Sequence, residues 1–341
     1  MALKFEEILS LAKTVARANP SAPTAYSFGE KKFGYSELNE ALRVEFAALA
    51  PDFRTYKINQ NTIFALIEQT MDDVLPTRVM DMYSQFAEIK TFQQGDKPIF
   101  KQKITQASKR RAKQFIGKVG LAGLYEVFKL DGRSYEVTTN AMGGAAQIGF
   151  EEFLDGRVDF ADVLEIVLSG LDECIYVEIE RQLIGAVANV QAANKTSQTT
   201  FVETAMDKLI GIADSYGHSV IYCTFDFAAT MVPATGWVSD EMRNQKWNNG
   251  YLASYKGHSV VVLPNSYEDE TNSKKVIDPS YAWIIPVGAE KPVKIAFEGQ
   301  TIVDEYKNFD RSQEINVYRK VGVRAIFSSA ICVYCNTSLT R

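Results

Sequence analysis

A long periodic run of apolar residues near the middle of the chain constrains the fold most. From Phe160 to about Ala188, apolar side chains recur at the 3.6-residue spacing of one helical face, and Asp159 precedes them as an N-cap. At a rise of ~1.5 Å per residue, this helix spans on the order of 43 Å. The mean helix of a globular protein has only ~11–12 residues, so we expect this one to be a structural spine.

Helical patterns also dominate the N-terminal part of the chain. An amphipathic helix is predicted over 3–17, and Asn19-Pro20 ends it and begins a tether. Because one face of this helix is apolar, it needs a surface to lie against. Further helices are predicted over 36–49 and 62–73, and the second is expected to end before Pro76 because proline disrupts a helix interior.

Residues 97–140 have the composition of extended structure. Two β-rich runs flank Asp131-Gly132, which is a strong signal for a two-residue hairpin turn. Neither face of the first run is strongly apolar, and an isolated hairpin is marginally stable in water. We therefore expect this hairpin to project and to lie on a neighbour, with 140–146 as a flexible return.

The part of the chain after the long helix alternates helix and strand patterns. Helices are predicted over 202–216, 225–231 and 240–247, and strands over 219–223, 251–255, 259–263, 281–286 and 293–297. The chain then closes with two long strand patterns in EINVYRKVGVRAIFSSAICVYCN. The alternation indicates a mixed α/β domain in this part of the chain, and for the chain as a whole we expect an α+β fold.

Composition places the chain among globular proteins without a membrane span. Hydrophobic residues make up 46% and charged residues 23%, and no apolar run reaches the ~18–20 residues that a span needs. The N-terminus lacks the pattern of a secretory signal, so we expect the protein to be made and used in a cytoplasm. The CVYC sequence at 332–335 is predicted to be strand, where positions three apart point to opposite faces, and not a redox motif.

Signals for catalysis, cofactors or metals are weak. Both histidines lie in the same tetrapeptide, GHSV, as His218 and His258. They form either a catalytic or metal-binding pair or a glycine turn that leads into a strand and is used twice. The sequence offers no HExxH motif, phosphate-binding loop or nucleophile elbow, which favours the turn. We predict no catalytic, cofactor-binding or metal-binding residues and no enzyme, and a hydrolase that uses the GHSV segments is the least favoured hypothesis.

Positive charge is concentrated in one segment, which we call the basic strip (97–118). The net charge of the chain is −5, and the basic strip carries eight basic residues and no acid, so the rest of the chain is at −13. Three explanations stay open at this point: contact with nucleic acid, contact with an acidic patch on another copy of the protein, or a solvated face.

The order of the elements resembles that of tailed-bacteriophage major capsid proteins, a shell-forming fold shared with encapsulin nanocompartments and herpesvirus capsid floors. The resemblance is carried by FAEIKTFQQGDKPIFKQK, IGFEEFLDGRVDFADVLEIVLSGLDECIYVEIERQL, NGYLASYKGHSVVVLPN and FEGQTIVDEYKNFDRSQEINVYRKVGVRAIFSSAICVY. It covers nearly the whole chain. It implies an N-terminal arm (1–60), a first part of the peripheral domain (61–94), an extended β-hairpin loop (95–150), the long spine helix of the peripheral domain (151–195), an axial domain (196–305) and closing strands of the peripheral domain (306–341).

The resemblance also implies a function. Such a chain is a structural protein that self-assembles into an icosahedral shell of pentamers and hexamers around the double-stranded DNA of a tailed bacteriophage. The alternative is an encapsulin-type shell around a protein cargo. Expected partners are other copies of the chain, a scaffold, a portal, decoration proteins and DNA held without sequence-specific contact, with no cofactor and no membrane. The expected location is the virion, after assembly in the host cytoplasm.

In this fold the extended loop lies over the adjacent subunit, so the resemblance favours a contact between the basic strip and a neighbour's acidic surface. A solvated face and direct contact with DNA stay open. The candidate inter-subunit residues are Lys101, Lys103, Lys109, Arg110, Arg111, Lys113, Lys118 and Arg133. Some members carry a cleaved scaffolding segment before the arm or crosslink a loop lysine. This chain starts at Met1 without such a segment, so we expect a separate scaffold or none, and no crosslink.

Overall fold

The computed structural model shows a chain of two compact units. It describes residues 4–18, 26–28, 31–51, 53–84, 87–102, 133–148, 160–232, 239–263, 265, 267, 271–288, 291–307, 313–326 and 330–340. The first unit comprises Met1–Pro98, Thr138–Ile175 and Ile295–Gly322, and the second comprises Ile99–Val137, Tyr176–Lys294 and Val323–Arg341. Neither unit is continuous in sequence, so long-range strand pairing is needed to form both.

The first unit begins with three helices, α1 (Phe5–Arg17), α2 (Tyr35–Leu49) and α3 (Phe53–Tyr83). α1 confirms the predicted amphipathic helix, and its apolar face lies against α2 and α3 of the same chain. The Arg78 guanidinium of α3 donates hydrogen bonds to the carbonyl oxygen of Ala16 at the end of α1. The N-terminal helix therefore finds the surface that it needs within its own unit.

The predicted end of the helix before Pro76 is wrong. α3 has 31 residues and contains Pro76 in its interior. Val74 and Leu75 before the proline are fully buried, and so is Val79 after it. Burial of apolar side chains on both sides of the proline offsets the cost of the missing N–H, which is why the local signal is overridden.

The predicted long helix is confirmed as α4 (Phe160–Val187), which has 28 residues. Its buried apolar residues recur every three or four positions, at Leu168, Leu171, Ile175, Ile179 and Leu183. It is not the longest helix of the described part, because α3 is three residues longer.

Strands β1 (Tyr26–Phe28) and β2 (Lys31–Phe33) form a small antiparallel pair. The main sheet of the first unit has four strands in the order β3, β12, β13, β6: β3 (Ala87–Phe92), β12 (Val293–Lys307), β13 (Gln313–Ala325) and β6 (Asn140–Ile148).

β6 pairs with β13 over nine residues, so the prediction of a flexible return at 140–146 is wrong. Gly143 explains the difference, because a Cβ there would lie 2.7 Å from Tyr318 Cβ. Glycine here allows two strands to approach closely.

The second unit contains a six-stranded mixed sheet in the order β7, β14, β11, β8, β10, β9. The strands are β7 (Lys195–Gln198), β8 (Ser219–Thr224), β9 (Ser254–Tyr255), β10 (His258–Leu263), β11 (Tyr281–Pro286) and β14 (Cys332–Asn336). The helices are α5 (Glu203–Asp214), α6 (Phe225–Thr230) and α7 (Asp240–Asn249). These elements confirm the predicted helices and the strands predicted over 219–223, 259–263 and 281–286. The strand predicted over 251–255 is only Ser254–Tyr255, and β7 lies where no strand was predicted.

The core of the second unit lies between the sheet and α5. Met206, Leu209, Ile221, Phe227 and Tyr334 are buried together there. The CVYC segment lies in β14 as predicted, and its two cysteines are free thiols. Among the described residues, no helix has both the length and the apolar composition to cross a membrane.

Candidate assembly surfaces and a histidine cluster

A two-stranded ribbon lies at the foot of the predicted extended loop. β4 (Ile99–Gln102) pairs antiparallel with β5 (Arg133–Glu136), with Gln102 opposite Arg133. The partner described for β5 is therefore β4, while the predicted Asp131-Gly132 turn lies outside the described residues. The pairing shows that the chain leaves along β4 and returns along β5.

The ribbon is fixed to the end of β13 through one of its faces. Phe100 is buried, and it pairs with Tyr135 across the ribbon. The Arg324 guanidinium lies 5.7 Å from the centre of the Tyr135 ring and donates a 2.6 Å hydrogen bond to the carbonyl oxygen of Glu136. A cation over an aromatic ring and a charge-assisted hydrogen bond together hold the ribbon in one orientation.

The other face of the ribbon carries the first candidate inter-subunit residue. Lys101 is exposed and lies opposite Ser134, which is exposed as well. On β5, the backbone of Arg133 lies next to Ser134 and opposite Gln102 of β4. Lys103, Lys109, Arg110, Arg111, Lys113 and Lys118 lie outside the described residues. The structure thus brings Lys101 and Arg133 to the same end of the ribbon, from sequence positions that are far apart.

Helix α7 presents the most exposed large apolar side chain of the described residues. None of its residues is buried, and Trp247 is 90% exposed. The helix is nevertheless well anchored. Ser239 caps its N-terminus through Met242 N–H, and the Lys246 ammonium donates a 2.8 Å hydrogen bond to the carbonyl oxygen of Ala229. An exposed tryptophan on an anchored helix is a candidate contact residue, because tryptophan is enriched among the residues that dominate binding energy at interfaces.

The C-terminal end of α7 is shaped by Gly250. This residue has φ 78°, and a Cβ there would lie 2.6 Å from Phe225 Cζ. Both the left-handed backbone and the close ring contact favour glycine at this position.

The two GHSV segments meet in space. β8 and β10 are parallel neighbours, so the histidine that precedes β8 and the one that begins β10 lie side by side. The rings of His218 and His258 are stacked with their centres 4.9 Å apart. The His258 Nε2 atom lies 3.4 Å from the Asp214 carboxylate. Sequence reasoning predicted two separate turns, because the order of strands in the sheet cannot be read from either tetrapeptide alone.

A family model described as "SPbeta prophage-derived putative capsid protein YonB" matches residues 26–335. The chain belongs to this capsid-protein family. The match includes α2, the foot of the loop, α4 and nearly the whole second unit. The predicted role as a structural major capsid protein, a virion component and not an enzyme, is confirmed by this membership.

Solved capsid structures that match with a TM-score of at least 0.50 show the same fold at low sequence identity. The capsid of a native GTA particle matches with a TM-score of 0.52 and 12% identity, over 75% of this chain and 90% of that chain. The capsid protein of the cyanophage P-SCSP1u matches with a TM-score of 0.50 and 7% identity, over 74% and 87% of the two chains. The holo-SrpI encapsulin complex of Synechococcus elongatus has a TM-score of 0.42 and 12% identity, over 72% and 84%. No match is found among curated protein sequences.

The comparisons confirm the predicted α+β fold of tailed-bacteriophage major capsid proteins. Chains of this family assemble with copies of themselves into a shell, so the surfaces of the subunit carry its function. The ribbon and α7 are therefore the first two surfaces to consider.

Proposed function

We propose that the chain forms the pentamers and hexamers of an icosahedral shell around double-stranded DNA, and that the basic strip contacts an acidic surface of the adjacent subunit. The observation that carries the contact is the position of the strip. The first part of the strip leads into the ribbon, where Lys101 is exposed on β4 and the paired strand β5 begins at Arg133. We propose that the charges that follow in the sequence contact the neighbouring subunit.

The charge balance supports a contact between copies of the chain. The basic strip carries eight positive charges, and the remaining chain is at −13. Complementary surfaces of this kind increase the rate of encounter and disfavour wrong orientations. One chain then provides both partners of the contact, as a homo-oligomeric shell requires.

Trp247 of α7 supports a second contact, which we also assign to a copy of the chain. Tryptophan is enriched among the residues that dominate binding energy at interfaces. The anchored helix fixes the backbone that carries the ring, so association does not have to order the helix itself.

The remaining partners follow from the shell function. A portal, a separate scaffold and decoration proteins are proposed to act with the chain, and the packaged DNA is held without sequence-specific contact. Phosphates can attract basic side chains on the inside of a shell. The content of purified shells tests this part: nucleic acid supports the phage function, and a single protein cargo would instead support the encapsulin alternative.

The experiment for the basic strip is charge reversal with a matched control. The test variant carries Lys109→Glu, Arg110→Glu and Arg111→Glu. The control carries Lys32→Glu, Lys195→Glu and Lys208→Glu, which are exposed residues of β2, β7 and α5 and give the same change in net charge. Assembly is followed by light scattering and negative-stain electron microscopy, with and without the neighbouring genes.

Each outcome decides between the explanations of the strip. We expect the control to form shells of normal size and the test variant to stop at small oligomers. Normal shells from both variants would overturn the contact between subunits. If the test variant forms shells of normal size that lose DNA more easily than control shells as salt rises, the basic strip contacts packaged DNA.

A further inference from the structure

The second unit contains a polar cluster that the shell function does not explain. It consists of Asp214 at the end of α5, His218 before β8 and His258 at the start of β10. One potential ligand atom from each residue lies within 4.8 Å of the other two. The chain has only two histidines among its 341 residues, and the sheet places both of them here.

Hydrogen bonds fix the orientation of His258. Its side chain is nearly buried, and its Nδ1 atom lies 3.1 Å from the carbonyl oxygen of Ser219. The Ser219 hydroxyl oxygen also lies 3.2 Å from Nδ1, and this hydroxyl donates its own proton to Asp214. Both neighbours of Nδ1 therefore act as acceptors, so a neutral ring carries its proton on Nδ1 and presents a lone pair at Nε2. A histidine that donates one ring N–H to a backbone carbonyl has the usual arrangement of a metal ligand.

The lone pair of His258 Nε2 faces a second acceptor. The Oδ2 atom of Asp214 lies 3.4 Å away. The Oδ1 atom of the same carboxylate accepts hydrogen bonds from the backbone N–H and the hydroxyl of Ser219, at 2.9 and 2.7 Å. The carboxylate is thereby held with Oδ2 towards the ring. When the ring is neutral, these two acceptors repel each other unless a cation lies between them, and either a proton on Nε2 or a metal ion can take that place.

The position of Asp214 adds to the attraction for a cation. Asp214 is the last residue of α5, where the negative end of the helix dipole lies. The carboxylate and the terminal carbonyl groups produce a negative potential beside two imidazole rings.

We propose that Asp214, His218 and His258 form a binding site for a divalent transition metal, with Zn²⁺ as the best match. Zinc binds imidazole nitrogen and carboxylate oxygen at ~2.0–2.2 Å, and tetrahedral bonds of that length separate two ligand atoms by ~3.4 Å. The distance between His258 Nε2 and Asp214 Oδ2 already has this value. His218 is exposed, so its ring can turn to supply the third ligand. Nitrogen ligands select against Mg²⁺ and Ca²⁺.

The structural effect of such an ion follows from its ligands. It would join the end of α5 to the beginnings of β8 and β10, in addition to the hydrogen bonds of Ser219 and the pairing of the two strands. The role is structural, and it stabilises the second unit in each subunit of the shell.

Zinc titration calorimetry on the purified full chain tests the site. We expect about one Zn²⁺ per chain, and at least tenfold weaker binding in both His218→Ala and Asp214→Asn. Asn at position 214 keeps an acceptor for Ser219 and offers an N–H to His258, so this variant retains the fold. The control is Asp240→Asn, which removes an exposed carboxylate of α7 and leaves zinc affinity unchanged.

Nuclear magnetic resonance provides a second readout, because two histidines give only two imidazole Cε1–H signals. Zinc should shift both signals of the wild type, and it should shift those of Asp214→Asn only at a zinc concentration at least tenfold higher. The proposal is overturned if the wild type takes up no zinc, or if all variants bind it equally well. If the histidine signals respond to pH but not to zinc, the cluster binds protons and not a metal ion, and the proposal is overturned as well.

Discussion

At the scale of single residues, Asp172 of α4 is an unusual carboxyl group. It is 7% exposed, its Oδ2 atom lies 3.5 Å from the Arg78 guanidinium, and its Oδ1 atom is buried without a hydrogen-bond partner. Burial raises the pKa of Asp172 to about 6, although the charge of Arg78 opposes this increase. The charged form is therefore poorly stabilised at neutral pH.

This pKa predicts how stability depends on pH. The folded-state pKa of about 6 exceeds the usual value of 3.8, so between these values the folded chain binds more protons than the unfolded chain. The contribution of Asp172 to the free energy of unfolding therefore falls as pH rises from about 4 to about 6, by on the order of 2–3 kcal/mol. Asp172→Asn should abolish this fall and be the more stable protein at pH 7.5.

Urea unfolding of wild type and Asp172→Asn between pH 4 and pH 7.5 measures the difference. The two proteins should converge near pH 4 and separate above pH 6. Asp96→Asn serves as the control, since Asp96 is exposed. Parallel curves for wild type and Asp172→Asn would show that the carboxyl group is not perturbed.

At the scale of elements, two adjacent glycines of β6 allow a paired test of strand packing. A Cβ on Gly143 would lie 2.7 Å from Tyr318 Cβ of β13, whereas a Cβ on Gly144 would have no atom within 4 Å. Gly143→Ala should therefore lower the free energy of unfolding by about 1–3 kcal/mol, as overpacking does. Gly144→Ala should be neutral or slightly stabilising, because it restricts the unfolded chain.

Urea unfolding of the two alanine variants measures the contrast. Equal stabilities would mean that β6 and β13 do not pair closely at Gly143.

The elements also show how far the sequence alone could predict this fold. α1, α4 and the apolar strands β8, β10 and β11 were predicted because their apolar residues recur at regular spacing in continuous runs, whereas the polar strand β7 (KTSQ) gave no such signal. Pro76 and the glycines at 143 and 144 misled the prediction. At both places, tertiary contacts outweigh a local signal for a break. Burial of Val79 keeps the chain helical beyond Pro76, and pairing with β13 keeps the segment with the two glycines in a strand.

The candidate sites show a similar limit. The concentration of positive charge in the basic strip is visible in the sequence, but its attachment through Arg324 is not. The histidine cluster depends on the parallel pairing of β8 with β10 and on Asp214, which lies four residues before His218. The repeated GHSV tetrapeptide was the only sequence signal for the cluster, and it cannot reveal that the two copies are neighbours.

At the scale of the whole molecule, the charge distribution predicts how salt affects assembly. Subunits with a net charge of −5 repel one another, while the basic strip attracts the remaining chain at −13. Salt weakens both effects, because the Debye length falls from ~30 Å at 0.01 M to ~3 Å at 1 M. The defect of Lys109→Glu/Arg110→Glu/Arg111→Glu relative to wild type should therefore be largest at low salt and shrink as salt rises.

Initial rates of light scattering across this range measure the difference. An equal defect at all salt concentrations would point to a folding fault in the variant and not to lost electrostatic attraction.

Trp247 provides the last test at this scale, because it separates folding of the subunit from formation of the shell. The ring is 90% exposed, so Trp247→Ala removes little from the core of the second unit and should change the free energy of unfolding by no more than about 0.5 kcal/mol. A central tryptophan of an interface is worth ~2 kcal/mol or more, which corresponds to more than tenfold in affinity. The subunit concentration at which shells form should therefore rise more than tenfold, while the thermal unfolding midpoint stays the same.

Sedimentation velocity over a concentration series, combined with calorimetric unfolding, measures both quantities on the same preparations. Trp247→Tyr is the matched control, since an aromatic ring on the same anchored helix should preserve most of the contact. Shell formation by Trp247→Ala at the wild-type concentration would exclude α7 from the subunit interface. A lowered unfolding midpoint would instead mean that the ring supports its own unit, and the assembly defect would then follow from instability and not from a lost contact.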